Sequence, residues 1–259
     1  MDFTFALFVS FTGTHRPRRI STTRTMNTLT TEQRTKEWFQ ARLGNITGSC
    51  LGKIMKTGRK ETFSDTAKTY LYRLAAERSL DPRVTGDEGW WEEYMEYTST
   101  ETKAMRFGTL NESDARQAYE RRTGHAVTET GLVAHPAIPH FASSPDGLVT
   151  EENGCIEIKC PNVETFMRYK SSVRTPEELK AVNPYYYYQC QAHMMCTGAE
   201  WCDFIVFCIW TKDKIHILRL TPDTQAESEI EQRIQAAEQF ITQTIRQAGE
   251  EQTEGARRP

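Results

Sequence analysis

Apolar side chains recur every three or four residues through the first half of the chain, which is the spacing of amphipathic helices. Threonine and glutamine capping residues open the first such segment, and glycines close two of them. Residues 81–100 combine glycines, tryptophans and acidic side chains, and the pattern gives them no firm assignment. The pattern predicts helices over about 30–43, from 47–49 to about 55, over 64–80 and over 102–122.

From residue 126 the apolar period changes to two, as expected for β-strands. Residues 201–210 form a nearly continuous apolar run, which predicts a strand buried on both faces, with 214–220 as its hairpin partner. The remaining pattern predicts strands over 127–134, 141–143, 147–150 and 155–159, a polar loop after about 170, and helices over about 162–170, 184–197 and 223–247.

No repeat or linker divides the chain, so the elements predict a single α/β domain over residues 29–248. Its expected core is a central mixed β-sheet flanked by helices. The stretch 10–35 is rich in Thr, Ser and Arg, and residues 1–28 are expected to be a disordered N-terminal extension. The polar segment 249–259 is expected to be a disordered tail.

The composition limits the functional classes. The chain has 259 residues, 38% of them hydrophobic, and a formal net charge of −3. This balance argues against a basic DNA-coating protein, although an enzyme can still hold nucleic acid in a local basic groove. The apolar run at 4–9 is too short to span a bilayer, and its basic residues follow it, whereas a secretory signal has them first.

Four of the seven cysteines recur every six residues: Cys190, Cys196, Cys202 and Cys208. Such a repeat would suit an iron–sulfur or zinc cluster only if the thiols faced one another. The first two fall on a predicted helix, where six residues turn about 600° and separate the side chains, and the other two fall in a strand. We therefore expect buried free thiols in a reducing cytoplasm.

The clearest chemical signal is a pair of acids followed by a lysine. Asp146 lies in a Pro-Asp-Gly turn, and Glu157 and Lys159 alternate with isoleucines in the next strand, so both should point to one face. Mg²⁺ binds one or two carboxylates, and the backbone carbonyl of Ile158 offers a third oxygen. Lys159 could then orient or deprotonate a water and screen phosphate charge. The alternative is a surface turn followed by a solvated strand face.

Two further positions could contribute to such a site. Glu112 shares a predicted helix face with core-like residues and is either another metal ligand or the i+4 partner of Arg116. Ser49 lies in the first turn of a helix, where free N–H groups attract phosphate, and Arg42 could add a second contact. The alternative for this pair is routine capping and a solvated arginine.

A run of four tyrosines precedes Gln189, which could hydrogen-bond an attacking water or a phosphate. The tyrosines are expected to pack in the core for the most part. His140 and His193 lie near these motifs, but neither has a ligand-like partner at a telling spacing, so both are interpreted as structural.

In this order the segments resemble the lambda exonuclease-like (YqaJ-type) viral recombinases, a branch of the PD-(D/E)xK nuclease superfamily. The similarity runs from about 35 to 210. Its matching segments are residues 37–49, 107–116, 144–148, 157–161 and 186–191.

The resemblance implies a restriction-endonuclease-like core and a Mg²⁺-dependent 5′→3′ exonuclease on double-stranded DNA ends, with Mn²⁺ as a substitute metal. It implies a phage-encoded or bacterial cytoplasmic enzyme. Some relatives form ring-shaped homotrimers and work with a single-strand annealing protein. The residues that match the family's site are Asp146, Glu157, Ile158 and Glu112 for metal, Lys159, Glu157, Asp146 and Gln189 for catalysis, and Arg42, Ser49 and Ser144 for the DNA 5′ phosphate.

Two other functions remain open at the level of sequence. A restriction-like or repair endonuclease of the same superfamily, including a repair nuclease with an iron–sulfur cluster, would use the same acids and lysine. A non-catalytic DNA-end-binding subunit would not need them, and the intact set of Asp146, Glu157 and Lys159 argues against it.

Overall fold

The computed structural model describes residues 32–58, 61–99 and 102–255, with side chains to 249, so the extension expected over 1–28 lies outside it. The N-terminal half of the described chain is helical. Its elements are α1 (Lys36–Arg42), β1 (Ile46–Thr47), α2 (Gly48–Ile54), α3 (Asp65–Arg78), α4 (Arg83–Gly86), α5 (Glu88–Thr98) and α6 (Lys103–Thr123).

The second half alternates strands and helices. Its elements are β2 (Val133–Ala134), β3 (Phe141–Ser143), β4 (Gly147–Val149), β5 (Gly154–Lys159), α7 (Val163–Ser172), α8 (Pro176–Val182), α9 (Pro184–Thr197), β6 (Trp201–Phe207), β7 (Ile215–Leu220) and α10 (Thr224–Gly255). Helix α10 thus extends into the segment where composition predicts a disordered tail, and residues 256–259 lie outside the described part.

The predicted mixed α/β architecture is confirmed, but the described strands form two sheets instead of one. The larger has the order β4-β5-β6-β7, with β5 and β6 parallel and both outer strands antiparallel to them. The smaller has the order β1-β3-β2, with β1 parallel to β3. The chain leaves one sheet and enters the other through the turn at Ser144–Asp146, so β3 and β4 do not continue one ladder.

Local capping explains where several elements differ from prediction. Helix α1 begins late because the side chain of Thr35 accepts the N–H of Trp38 as its N-cap. The predicted loop after α7 contains α8, which begins with a capping box between Thr175 and Glu178 and a proline at its start.

The predicted strand over 127–134 is reduced to β2 and one isolated bridge between Thr128 and Leu148. Helices α4 and α5 occupy the segment that received no assignment.

Helix α9 occupies the middle of the fold, packed against α2, α8, α10 and β6. All of its residues from 187 to 197 are buried, which explains why this helix lacks a polar face.

The seven cysteines are free thiols, and five of them are buried. Burial raises the pKa of Cys190 and Cys202, which lie beside each other in this core. No helix in the described part of the chain has the length and apolarity needed to cross a bilayer.

Candidate active site

Asp146 and β5 are joined by two main-chain contacts. The N–H of Asp146 donates to the carbonyl of Ile156 at 3.0 Å, and its Oδ2 accepts the N–H of Ile158 at 2.6 Å. The turn acid therefore lies beside the part of β5 that carries Glu157 and Lys159. The structure brings together the three residues that the sequence pattern selected.

Glu157 and Lys159 share one face of β5, as the alternation predicts. The Lys159 ammonium contacts Oε1 of Glu157 and lies 5.0 Å from the ring centroid of Tyr186. Ile158, on the opposite face, packs into a cluster of apolar residues from α6, β6 and β7. Glu157 is only 1% exposed, so the alternative of a solvated strand face is wrong.

The two carboxylates differ in their electrostatic balance. Burial raises the pKa of Asp146 well above its ordinary value, and the charge of Glu157 raises it further. Burial also acts to raise the pKa of Glu157, but Lys159 and the hydrogen bond from His193 outweigh it, so that pKa is lowered. Burial acts to lower the pKa of Lys159, and the charges of Glu157 and Asp146 reverse this and raise it. The cluster therefore favours an ionised glutamate and an ammonium, whereas burial and Glu157 outweigh the effects of Lys159 and the Ile158 N–H on the ionisation of Asp146.

The donor set fits a hard divalent cation. Asp146 and Glu157 provide carboxylate oxygens. In an extended strand the N–H and C=O of one residue point to the same side, so the Ile158 carbonyl faces the edge where its N–H meets Asp146. Among the described residues, no group of three or more His, Cys, Asp or Glu side chains could hold a metal by itself. Two carboxylates, a carbonyl, water and substrate phosphate are nevertheless the usual Mg²⁺ ligands.

Glu112 lies near the cluster, although its contact is with a different arginine from the one the sequence suggests. Nη2 of Arg34 donates to both Oε1 and Oε2 at 2.7 and 2.8 Å. Arg116, the alternative i+4 partner, pairs with Glu129 instead. The charge of Glu112 acts to raise the pKa of Asp146, so its carboxylate is close enough to influence the site.

The predicted phosphate-binding residues converge on one arginine. Arg42 donates through Nη1 to Oγ of Ser144 at 3.3 Å, and through Nη2 to Oγ of Ser49 at 3.2 Å and Oγ1 of Thr47 at 3.4 Å. Its guanidinium stacks on Trp38 at 4.3 Å from the ring centroid. Burial lowers the pKa of Arg42. Arg42 is thus partly buried and paired, and a cation whose described side-chain hydrogen bonds all go to hydroxyls suits an incoming anion.

Ser144 connects this pocket to the acid cluster. Its Oγ also accepts the indole N–H of Trp38 at 3.1 Å, and Ser144 is two residues from Asp146. A single residue, Pro145, therefore separates Ser144 of the arginine pocket from Asp146. Ser144 thus joins the arginine pocket to the turn that carries Asp146.

Helix α9 presents a second set of residues to the cluster. Tyr186 lies under Lys159, and His193 Nε2 is 2.7 Å from Oε2 of Glu157. Gln189 is at the i+3 position from Tyr186 and the i−4 position from His193, so it occupies the same helix face. Its side chain is buried and makes no hydrogen bond within the described residues. Gln191, in contrast, is used structurally, with bonds to Thr221 and Asp223.

Three residues that the sequence analysis did not select support the site. Gln33 Nε2 donates to the carbonyls of Thr130 and Pro145 at 2.8 and 2.9 Å. Arg116 Nη1 donates to the carbonyl of Asp146 at 3.4 Å. Gln33 and Arg116 thus bind the carbonyl oxygens of Pro145 and Asp146 in the turn. His193, for which the sequence predicts a structural role, contacts Glu157 directly. Its spacing from Tyr186 and Gln189 on one predicted helix was the available signal.

A family model and two solved structures are similar to this chain over most of its length. Residues 37–200 match the YqaJ-like viral recombinase domain. The crystal structure of LHK-Exo in complex with dAMP is 32% identical, covers 85% of this chain and 99% of that chain, and superimposes with a TM-score of 0.69. A second structure of LHK-Exo, an alkaline exonuclease from Laribacter hongkongensis, is 31% identical, with coverages of 83% and 99% and a TM-score of 0.64.

A phage related exonuclease from Haemophilus somnus 129PT shares the fold at 17% identity, with coverages of 79% and 96% and a TM-score of 0.56. Comparison with curated protein sequences gives no match.

Proposed function

Because the chain belongs to the YqaJ-like viral recombinase family, we propose that it is a Mg²⁺-dependent exonuclease that degrades linear double-stranded DNA from 5′ ends during phage or prophage recombination. The likeness to an alkaline exonuclease supports a nuclease role. The observation that carries the proposal is the cluster of Asp146, buried Glu157 and Lys159, with the guanidinium of Arg42 bonded to Ser144 in the turn that carries Asp146.

Asp146, Glu157 and the carbonyl of Ile158 would hold the divalent cation. When bound, Mg²⁺ supplies Lewis-acid polarisation of the phosphate and lowers the pKa of a bound water; Mn²⁺ can substitute for it. The raised pKa of Asp146 supports this assignment, because a carboxyl group placed against a like charge is stabilised as an anion by an added cation.

Lys159 is suited to stabilising negative charge. The two acids raise its pKa, so in this arrangement the side chain is an ammonium. An ammonium at this position donates hydrogen bonds to a phosphate oxygen and screens the charge that develops during attack by water. Gln189 lies on the same face of α9 as Tyr186, and its side-chain amide, unpaired within the described part of the chain, would orient that water. Glu112, on α6, would be a further ligand of the cation held by Asp146 and Glu157.

The pocket around Arg42 is the basis for proposing attack at ends. A 5′ phosphate would displace the weak contacts to Ser144 and Ser49 and take charge-assisted hydrogen bonds from the guanidinium and both hydroxyls. Ser49 lies in the first turn of α2, but that helix is short, so the arginine and the hydroxyls supply most of the binding. An internal phosphodiester has no terminal group to fill the pocket.

The family relation also motivates a proposal about assembly. We propose that the chain forms a homo-oligomer, a ring trimer in the case of processive degradation, and delivers the remaining strand to a single-strand annealing protein. The molar mass of the purified protein, measured by size-exclusion chromatography with light scattering, tests whether it is a homo-oligomer. A monomer that degrades long duplexes processively would contradict it.

The test of the activity uses linear duplex DNA labelled at the 5′ or the 3′ end of one strand, and covalently closed circles, each with Mg²⁺ or with EDTA. We expect label to be released first from the 5′ end, only with Mg²⁺, with closed circles intact. Closed circles cut as fast as linear DNA would instead indicate an endonuclease. Intact linear duplex under all conditions would leave a non-catalytic end-binding subunit.

A further inference from the structure

His193 is a buried histidine with both ring nitrogens in short hydrogen bonds. Its Nε2 is 2.7 Å from Oε2 of Glu157, and its Nδ1 is 2.7 Å from Oγ of Ser143. Both His193 and Glu157 are 1% exposed, and Ser143 is fully buried. The three side chains come from α9, β5 and β3, so the contact joins the two sheets through the central helix.

The chemistry of the partners sets the direction of these bonds. An ionised carboxylate only accepts, so the proton on Nε2 must point to Glu157. In the neutral imidazole Nδ1 is then an acceptor, and the hydroxyl of Ser143 donates to it. With a neutral imidazole the chain of bonds runs in one direction, from Ser143 through His193 to Glu157.

The two carboxylate oxygens of Glu157 have different partners. Oε2 is occupied by His193 on the interior side, and Oε1 contacts Lys159 on the side of the acid cluster. Among the described side chains, Lys159 is the other polar partner of this carboxylate, so loss of the bond from His193 leaves the last torsion of the glutamate held by a flexible lysine. The torsion is intrinsically broad, so a fixed carboxylate plane requires a partner at each oxygen.

We propose that His193 is a positioning residue, anchored by Ser143, that fixes the carboxylate plane of Glu157 so that Oε1 faces the cation. The inference rests on the proposed function, because it concerns the same metal site. It assigns to His193 a role that the sequence spacing did not reveal. Partners that orient metal-binding side chains in this way are typically worth about 10–100-fold in metal affinity or activity.

The experiment measures Mn²⁺ binding to the free protein, without DNA, from the paramagnetic resonance signal of unbound Mn²⁺. Gln at position 193 can place its amide N–H near the position of Nε2, whereas Asn reaches only the position of Nδ1. We expect His193→Gln to bind Mn²⁺ within about threefold of wild type, and His193→Asn and His193→Ala to bind about 10–100-fold more weakly. Ser143→Ala should show a smaller loss, because it removes the anchor and leaves the donor.

His216 provides the matched control. Its Nε2 also makes a 2.7 Å bond, but to the backbone carbonyl of Val173, on a strand at the other edge of the sheet. His216→Gln should leave Mn²⁺ affinity within twofold of wild type. A purely structural role of His193 would reduce the fraction of folded protein, and hence the number of binding sites, without changing the affinity of those that remain.

Each outcome decides between the hypotheses. If the wild type neither binds Mn²⁺ nor degrades linear DNA with it, the proposed function falls and the inference falls with it. If the wild type does both, and His193→Asn binds Mn²⁺ as tightly as wild type, only the inference is overturned. Equal weakening in His193→Gln and His193→Ala would overturn the assignment of the Nε2 donor. Should His193→Ala fail to fold, the Gln and Asn variants decide the question.

Discussion

Asp146 accepts the backbone N–H of Ile158 at 2.6 Å, so the acid of the turn is fixed to the strand by main chain. Ile158 lies between Glu157 and Lys159, and this bond therefore sets the position of Asp146 relative to both. The same proximity places two carboxylates together, and burial and the charge of Glu157 raise the pKa of Asp146. The hydrogen bond itself favours the ionised carboxylate, whereas burial and the charge of Glu157 oppose its ionisation.

Replacing Asp146 by Asn separates these two effects. The amide oxygen can still accept the N–H of Ile158, and the repulsion from Glu157 disappears. We expect the free energy of unfolding of Asp146→Asn in EDTA to equal or exceed that of wild type, while the nuclease rate falls by at least about 100-fold through loss of metal stabilisation. Urea denaturation and nucleotide release measure the two quantities. A variant that is less stable yet active would contradict the assignment.

Arg42→Ala should act mainly on phosphorylated ends. Charged hydrogen bonds to a phosphate contribute about 1.5–3 kcal/mol, so we expect a loss of about 10–100-fold in kcat/KM on 5′-phosphorylated duplex and a much smaller loss on 5′-hydroxyl duplex. Arg83 is the matched control, because it stacks on Trp90 at the same 4.3 Å but pairs with Asp81 on the surface. Equal losses on both kinds of end would remove the pocket assignment.

Gly48 should not tolerate a side chain. A Cβ at this position would lie 2.2 Å from Oγ of Ser143 and 3.2 Å from Cβ of Ala192. The serine would have to rotate away from His193, so we expect Gly48→Ala to lose about 1–3 kcal/mol of stability.

Gly108, in the helix α6, has no neighbour within 4 Å of such a Cβ. Gly108→Ala should therefore gain about 0.5–1 kcal/mol. Thermal unfolding compares the two variants, and equal changes would mean that the packing around Gly48 is looser than described.

Glu112 and Arg34 test whether their ion pair has a purely structural role. If Glu112 acts on the acid cluster, Glu112→Gln should lower the nuclease rate by about 10–100-fold. Arg34→Gln should lower it much less, because a half-exposed ion pair contributes about 1 kcal/mol or less. Rates at saturating Mg²⁺ and DNA distinguish the two variants. Equal reductions would show that only the pair matters.

Local patterns predicted much of this fold. The period of two in β5 was sufficient to place Glu157 and Lys159 on one face, and helical spacing located α3, α6 and α9. The helix α8 was missed although its signal was present, since Thr175, Pro176 and Glu178 form a readable capping box. The division into two sheets was not predictable, because it depends on how the turn at Asp146 docks on β5.

The supporting residues of the site were missed for a different reason. Their partners are remote in sequence: Arg34 is 78 residues from Glu112, and His193 is 36 residues from Glu157. Single-sequence spacing detects pairs within one helix or strand and carries no information about such contacts. The i+4 rule therefore suggested Arg116 for Glu112, whereas tertiary packing brings Arg34 to it.

The most direct test of the central claim is the rate at which Glu157→Gln releases nucleotides from linear duplex DNA at saturating Mg²⁺. The substitution preserves the size of the side chain and removes its charge, while circular dichroism verifies that the protein is folded. We predict a fall of at least about 1000-fold relative to wild type, since a bound cation contributes several kcal/mol to the transition state. A rate within tenfold of wild type would contradict the account.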